Sequence, residues 1–266
     1  MRYTVWALLL ILTVNSYPQG RRLPESQDHP FISLPPAWLN SLESIAPVPP
    51  VNGGASSPGN PGKVSVAELR MPPKAIHELE LAVKAYRSGH WRDSTTHLEK
   101  VLVLYPQYSP GHNALGRLYA NLHDYDKALG EFEKATIAEP GSAQELHNLS
   151  VTLYLLKRYQ EAEDAARATL AIDPTRPTTR YVLGCTLAAE ERFTAETVDL
   201  LRQSSKQFPN VRLVLANVLL KRGDVAGAEA ELQAYLEVPN APGKDEAQCW
   251  LAALTHKGEG VSCPGK

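Results

Sequence analysis

The chain has 266 residues, 43% apolar and 21% charged, enough to bury a core in one or two domains. Its 27 Lys and Arg against 29 Asp and Glu leave a formal charge of −2, so there is no bulk basic field to drive sequence-independent nucleic-acid binding. The 21 prolines are unevenly spread: residues 17–74 hold 12 of them, together with 5 Gly and 7 Ser. That skew separates a loose front from a compact back.

At the start, Arg2 precedes an apolar run from about Val5 to Val14, followed by Asn15 and the small Ser16. A basic end, about ten apolar residues and a small-residue cleavage site make a secretory signal pattern, so residues 1–16 are read as a signal peptide. An uncleaved anchor is the other reading, but a spanning helix needs ~20 apolar residues and Asn15 interrupts this run. The expected destination is the periplasm or the exterior, with no membrane span left after cleavage.

Residues 17–74 lack a sustained period. The stretch Val51–Lys63 is rich in Gly, Ser and Pro and cannot bury enough apolar area to offset its ordering entropy, which predicts disorder. One patch differs: after Pro36, the residues Trp38, Leu39, Leu42 and Ile45 share one helical face. It reads either as a transient helix leaning on the neighbouring domain or as a tethered anchor for a groove, in this chain or a partner.

A 34-residue period organises the rest. Leu81, Leu115, Leu149 and Leu183 are 34 apart, as are Trp91, Tyr125, Tyr159 and Phe193, and again Pro106, Pro140 and Pro174. Between these markers apolar residues recur at helical spacing, for example Leu115, Leu118, Tyr119 and Leu122. Each period therefore predicts two antiparallel helices, with a turn such as Leu122–Asp126 between them and a proline to close the second. Small Gly116, Ser150, Gly184 and Ala216 on first helices, and Ala128, Ala162 and Ala228 on second ones, predict close helix approach. No such unit can bury its apolar face alone, and stacking supplies the core.

With Leu115-Gly116, Tyr119, Tyr125, Ala128, Phe132, Ala135 and Pro140 in its best unit, the sequence resembles the tetratricopeptide repeat (TPR) family. The resemblance implies an all-α fold: a right-handed α-solenoid of about five antiparallel helix pairs, with a capping helix at the C-terminus. The units are read at about 75–108, 109–142, 143–176, 177–208 and 209–241, the fourth with its second helix displaced by about two residues. Residues 242–266 then form the capping helix and tail.

The resemblance also implies a concave groove lined by first helices, in which family members bind peptides or proteins. By repeat position that face carries Asn113, Arg117 and Asn121, then Gln144, His147, Asn148 and Tyr154, then Tyr181, and last Asn217. Amides suit an extended backbone and Arg117 suits a carboxylate, while the plainer reading makes Arg117 a solvated surface residue. The third helix of the set holds Thr178 and Val182 where the family's two-carboxylate clamp needs basic residues.

Catalytic chemistry finds no support. His77-Glu78 is followed by Leu81 where a zinc-protease motif needs its second His, and neither a GxSxG elbow nor a phosphate loop is present. No catalytic residue, metal site or cofactor is expected. Of the three cysteines, Cys249 and Cys263 are a candidate disulfide pair in an exported protein, and Cys185 is left as a packing residue. A non-catalytic scaffold for a protein or peptide is the leading expectation. The alternative is an accessory subunit of an envelope assembly, docked through its N-terminal segment or convex face.

Overall fold

Prolines and left-handed turns set where the helices stop. In the computed structural model, which describes residues 71–241 and 243–255, the elements are α1 (Pro73–Arg87), α2 (Trp91–Leu104), α3 (Ser109–Asn121), α4 (Tyr125–Ala138), α5 (Ala143–Leu155), α6 (Tyr159–Ile172), α7 (Pro177–Ala189), α8 (Ala195–Ser204), α9 (Val211–Lys221), α10 (Val225–Leu236) and α11 (Lys244–Thr255). Among the described residues the regular structure is all helical. The expected signal peptide, the Trp38 patch and Cys263 lie outside the described residues.

Helices α2, α4 and α6 end at Leu104, Ala138 and Ile172, each just before Pro106, Pro140 or Pro174. The residue before a proline is pushed out of the helical region, so the helix cannot run on. Between the helices of each pair, one residue takes a left-handed conformation at the same repeat position: Gly89 (φ 75), His123 (φ 59), Lys157 (φ 60) and Glu191 (φ 57). Gly adopts it freely, whereas an L-residue there gives up roughly 1–2 kcal/mol. The packing of each pair is thus strong enough to hold a strained turn.

The described chain falls into two compact units, one ending at Gln207 with α1–α8 and one from Phe208 with α9–α11. In the first unit consecutive helices pack on each other in chain order, and the first helices α3, α5 and α7 also touch in succession. That is the packing of an α-solenoid. Its core rests on small residues that admit a large one opposite. Gly116 on α3 lies so close to Phe132 on α4 that an added Cβ would stand 2.8 Å from the ring, and Phe132 is 1% exposed. Gly184 on α7 meets Leu201 on α8 at the same distance. Ala128 and Ala162 are fully buried on second helices.

Polar ties join the pairs as well. Glu163 on α6, almost fully buried, accepts from Arg167 Nε at 2.8 Å and also from Arg192. Arg167 in turn reaches both carboxylate oxygens of Glu196 on α8, at 2.8 and 3.1 Å. The pull of these arginines holds the Glu163 carboxyl below its ordinary pKa although burial pushes the other way.

Two details differ from the expected layout, and a third, the displacement of about two residues in the fourth unit, agrees with it. Met71 is already buried in the core and α1 opens at Pro73, so the folded part starts inside the stretch read as linker. Pro at the first helical turn is preorganised for it. Helix α8 begins at Ala195, two residues beyond the position that matches Tyr159, with Thr194 as its cap. Trp91, which shares its repeat position with the half-buried Tyr125 and Tyr159, is 42% exposed at the start of α2.

In the second unit α9 pairs with α10, and α10 with α11. Asp224 caps α10 by accepting from Gly227 N at 2.9 Å, and Arg212 joins Glu231 at 2.5 Å. On α11, which falls where the capping helix is expected, Ala247, Trp250 and Leu254 are buried along one side. Cys249 is engaged in a disulfide, whereas Cys185 on α7 is a free, fully buried thiol whose pKa burial raises.

Candidate ligand groove

The helical rise places residues four apart on one face, so Asn113, Arg117 and Asn121 form a row along α3. On α5, Gln144 and Asn148 form a row set one position off the strict 34-residue equivalents of Asn113 and Arg117, which are His147 and Val151. The two rows are joined. Asn148 Nδ2 donates to Asn113 Oδ1 at 2.6 Å, and Gln144 Nε2 donates to Asn148 Oδ1 at 3.1 Å. Arg176, in the loop before α7, donates to Gln144 Oε1 at 3.0 Å and also meets Asp173. A ladder of side-chain amides therefore crosses from α3 to α5 and ends on a paired arginine.

Arg117 stands one turn beyond Asn113 on the same face and is only 5% exposed. Its Nε has no hydrogen-bond partner, and among the described residues no acid forms an ion pair with it. Desolvation lowers its pKa to about 10, with Tyr86 of α1 acting weakly in the other direction. The plain reading of Arg117 as a solvated residue fails on this burial. At the matching register of the other first helices of this unit stand Val83, Val151 and Cys185, so within it a single guanidinium interrupts an otherwise apolar line.

His147 takes a different place from the one its register suggests. It is buried, and its Nδ1 shares a 2.8 Å hydrogen bond with Thr179 Oγ1 of α7, within the seam between two repeats. Burial pulls its pKa down to about 3, assisted by the nearby Arg176, so the ring is neutral at physiological pH. Tyr154 and Tyr181 are likewise buried, and Tyr154 packs against Tyr159 with ring centres 5.7 Å apart. Asn113, Asn121 and Gln144 are half-buried. Asn217 lies on α9 and belongs to the second unit.

Arg176, Tyr86 and Thr179 were missed by the sequence reading. The Asn113–Asn148 pair carried a usable signal: the two are 35 residues apart, one repeat plus one position, which brings them opposite each other on adjacent first helices. Thr179 lies 32 residues after His147, a spacing with no simple repeat meaning. Among the described residues no group of His, Cys, Asp and Glu is placed to hold a metal ion. No helix among them is long and apolar enough to cross a membrane.

The family model for the tetratricopeptide repeat matches residues 79–143 and 113–177. Residues 79–177 are tetratricopeptide repeats. No curated protein matches the chain. Among solved structures, MamA (residues 41 to the end) from Desulfovibrio magneticus RS-1 is similar at 18% identity and a TM-score of 0.60, over 65% of this chain and 98% of that one. YrrB, described as a TPR protein with an unusual peptide-binding site, is similar at 17% identity and a TM-score of 0.55, over 62% and 86%. PilW, described as a widely conserved type IV pilus biogenesis factor, reaches 22% identity and a TM-score of 0.58, over 70% and 90%. These likenesses establish the TPR fold.

Proposed function

We propose that this TPR protein is a non-catalytic scaffold that binds a protein or peptide partner on the face formed by α3, α5 and α7. The observation that carries the reading is the amide ladder from Asn113 through Asn148 to Gln144, beside the unpaired Arg117. Asn148, 1% exposed, holds the ladder together, and the half-buried Asn113 and Gln144 at its two ends keep amide hydrogens for the main chain of an extended segment without regard to its side chains. The peptide-binding site named for YrrB is consistent with this use of the fold. The signal-like residues 1–16 and the pilus-biogenesis role named for PilW support a place in the cell envelope. A Cys249–Cys263 bridge belongs to the same picture, since such bonds persist in oxidising compartments.

One observation favours a second reading, docking through the outer face. Val103 and Ile137 occupy the same position in successive repeats and are 80% and 79% exposed. They flank a cavity of about 520 Å³ together with Leu102, Pro106 and Ala138. Paired apolar residues this exposed suit a protein contact.

The two readings separate by mutation. With Asn113→Ala and Asn148→Ala together, affinity purification from the envelope is expected to lose the partners held by the wild-type protein. With Val103→Ser and Ile137→Ser together, the same partners should be retained. The reverse outcome would transfer the function to the outer face.

A further inference from the structure

We propose that residues 38–45 of this chain dock in the cavity between α2 and α4, covering Val103 and Ile137 of the same molecule. The inference goes beyond the groove reading, since it concerns the side built by second helices and names its occupant.

The cavity lacks apolar cover. Val103 and Ile137 are 80% and 79% exposed, while the other large apolar side chains facing solvent, Trp91, Leu104 and Ile172, lie at 42%, 39% and 48%. The two most exposed therefore line one cavity of about 520 Å³, with Leu102, Pro106 and Leu115. The acids and the histidine around it already have partners. Glu131 holds Lys134 at 2.7 Å through one carboxylate oxygen and His112 at 2.6 Å through the other. His112 Nε2 donates to the Pro106 carbonyl at 2.9 Å, and Glu99 accepts from the Tyr119 hydroxyl at 2.6 Å. Such a site asks for an apolar occupant and offers little to a charged one.

The sequence holds one apolar stretch without a place in the array. Trp38, Leu39, Leu42 and Ile45 share one helical face, and Glu43 is the one acid or base between His29 and Lys63. The described chain begins at Met71, buried in the cluster that contains Leu115 and packs against Leu102. Both leucines line the cavity, so the segment joins the array beside it. Residues 46–70 can reach up to about 85 Å at full extension, which leaves the connection unconstrained. Attachment also raises the local concentration of the stretch to the order of millimolar, so even a weak contact holds it. Cavities of roughly 300–1,000 Å³ bury drug-sized groups, which leaves room for the Trp38 ring beside Leu42. In the third repeat the position of Val103 and Ile137 is taken by Ala171. The large pair is thus confined to the two repeats nearest the point of attachment, where a partner laid along the array would meet a longer stripe.

The test uses the purified full chain with a benzophenone side chain at Ile137, irradiated and then digested for mass spectrometry. The expected product joins the α4 peptide to residues 34–48. In a mixture of light and isotope-labelled chains, both halves should come from the same copy. Trp38→Ser with Leu42→Ser should lower the yield at least fivefold. A second readout needs no bulky label. A fluorescent peptide of residues 34–48 is expected to bind the Trp38→Ser, Leu42→Ser chain at least tenfold more tightly than the wild type, whose cavity is filled. Adding Val103→Ser and Ile137→Ser should remove that binding. Both of these side chains are exposed, so the core stays intact, and thermal unfolding of each chain checks it. Products that join light to labelled chains would make the occupant a second copy and the proposal wrong. Equal peptide binding by the wild type and the Trp38→Ser, Leu42→Ser chain, or none by either, would overturn it as well. So would a benzophenone at Asn121 that captures residues 34–48, since the segment would then sit in the groove.

Discussion

Phe132→Ala is expected to destabilise the repeat array by about 3–5 kcal/mol, the range for removing a buried aromatic ring whose surroundings cannot collapse. The ring is 1% exposed and lies against Gly116 of the preceding helix. Both helices are held apart by their own turn and by neighbouring pairs, so the space is expected to persist. The same contact predicts the opposite fault. Gly116→Ala places a methyl group 2.8 Å from the ring and should cost about 1–3 kcal/mol through overpacking, even though Ala is the better helix former. If closeness is the reason for the glycine, Phe132→Leu should relieve the clash. The double variant Gly116→Ala with Phe132→Leu should then be more stable than the sum of the single changes allows. Chemical denaturation of the full chain, followed by helical circular dichroism, measures all of these. Simple additivity would show that Gly116 is not set by the ring.

The second large effect concerns pH. His147 has a folded pKa near 3, against an ordinary value of 6.5, because the ring is buried between α5 and α7 with Arg176 nearby. Between those values the unfolded chain binds a proton that the folded chain refuses. Stability from this group is therefore complete above pH 6.5 and is lost as pH falls toward 3, by about 1.4 kcal/mol per pH unit. His147→Gln keeps a polar partner for Thr179 and removes the titration. Wild type should lose stability on acidification from pH 7 to pH 4 more steeply than the variant, by close to one proton's worth of slope. Carboxylates such as Glu163 add their own acid sensitivity to both proteins and cancel in the comparison. Parallel pH profiles would mean that His147 is not held neutral in the seam.

The architecture was legible because each of its rules acts locally. Pro106, Pro140 and Pro174 end helices through backbone sterics, and the recurring leucines mark faces through periodicity alone. The left-handed turn was only half visible. Gly89 announces it, but His123, Lys157 and Glu191 occupy the same conformation with residues that carry no such signal. The site was legible as a face and not as a set of contacts. Register puts Asn113, Arg117 and His147 on first helices, yet it cannot say that His147 turns into the seam toward Thr179. Nor can it say that Arg176 reaches back from a loop to Gln144. The isolation of Arg117 was invisible for the same reason, since it depends on which side chains fail to reach it.

Photo-crosslinking in the native cell envelope tests the central claim most directly. A benzophenone side chain introduced at Asn121, half-buried at the end of the α3 row, is expected to give a discrete adduct with a partner polypeptide. The same group at Ile137, on the exposed end of α4, should give none. The Asn121 adduct should disappear when Asn148→Ala is added. An adduct from Ile137 and none from Asn121 would contradict the groove account and place the partner on the outer face.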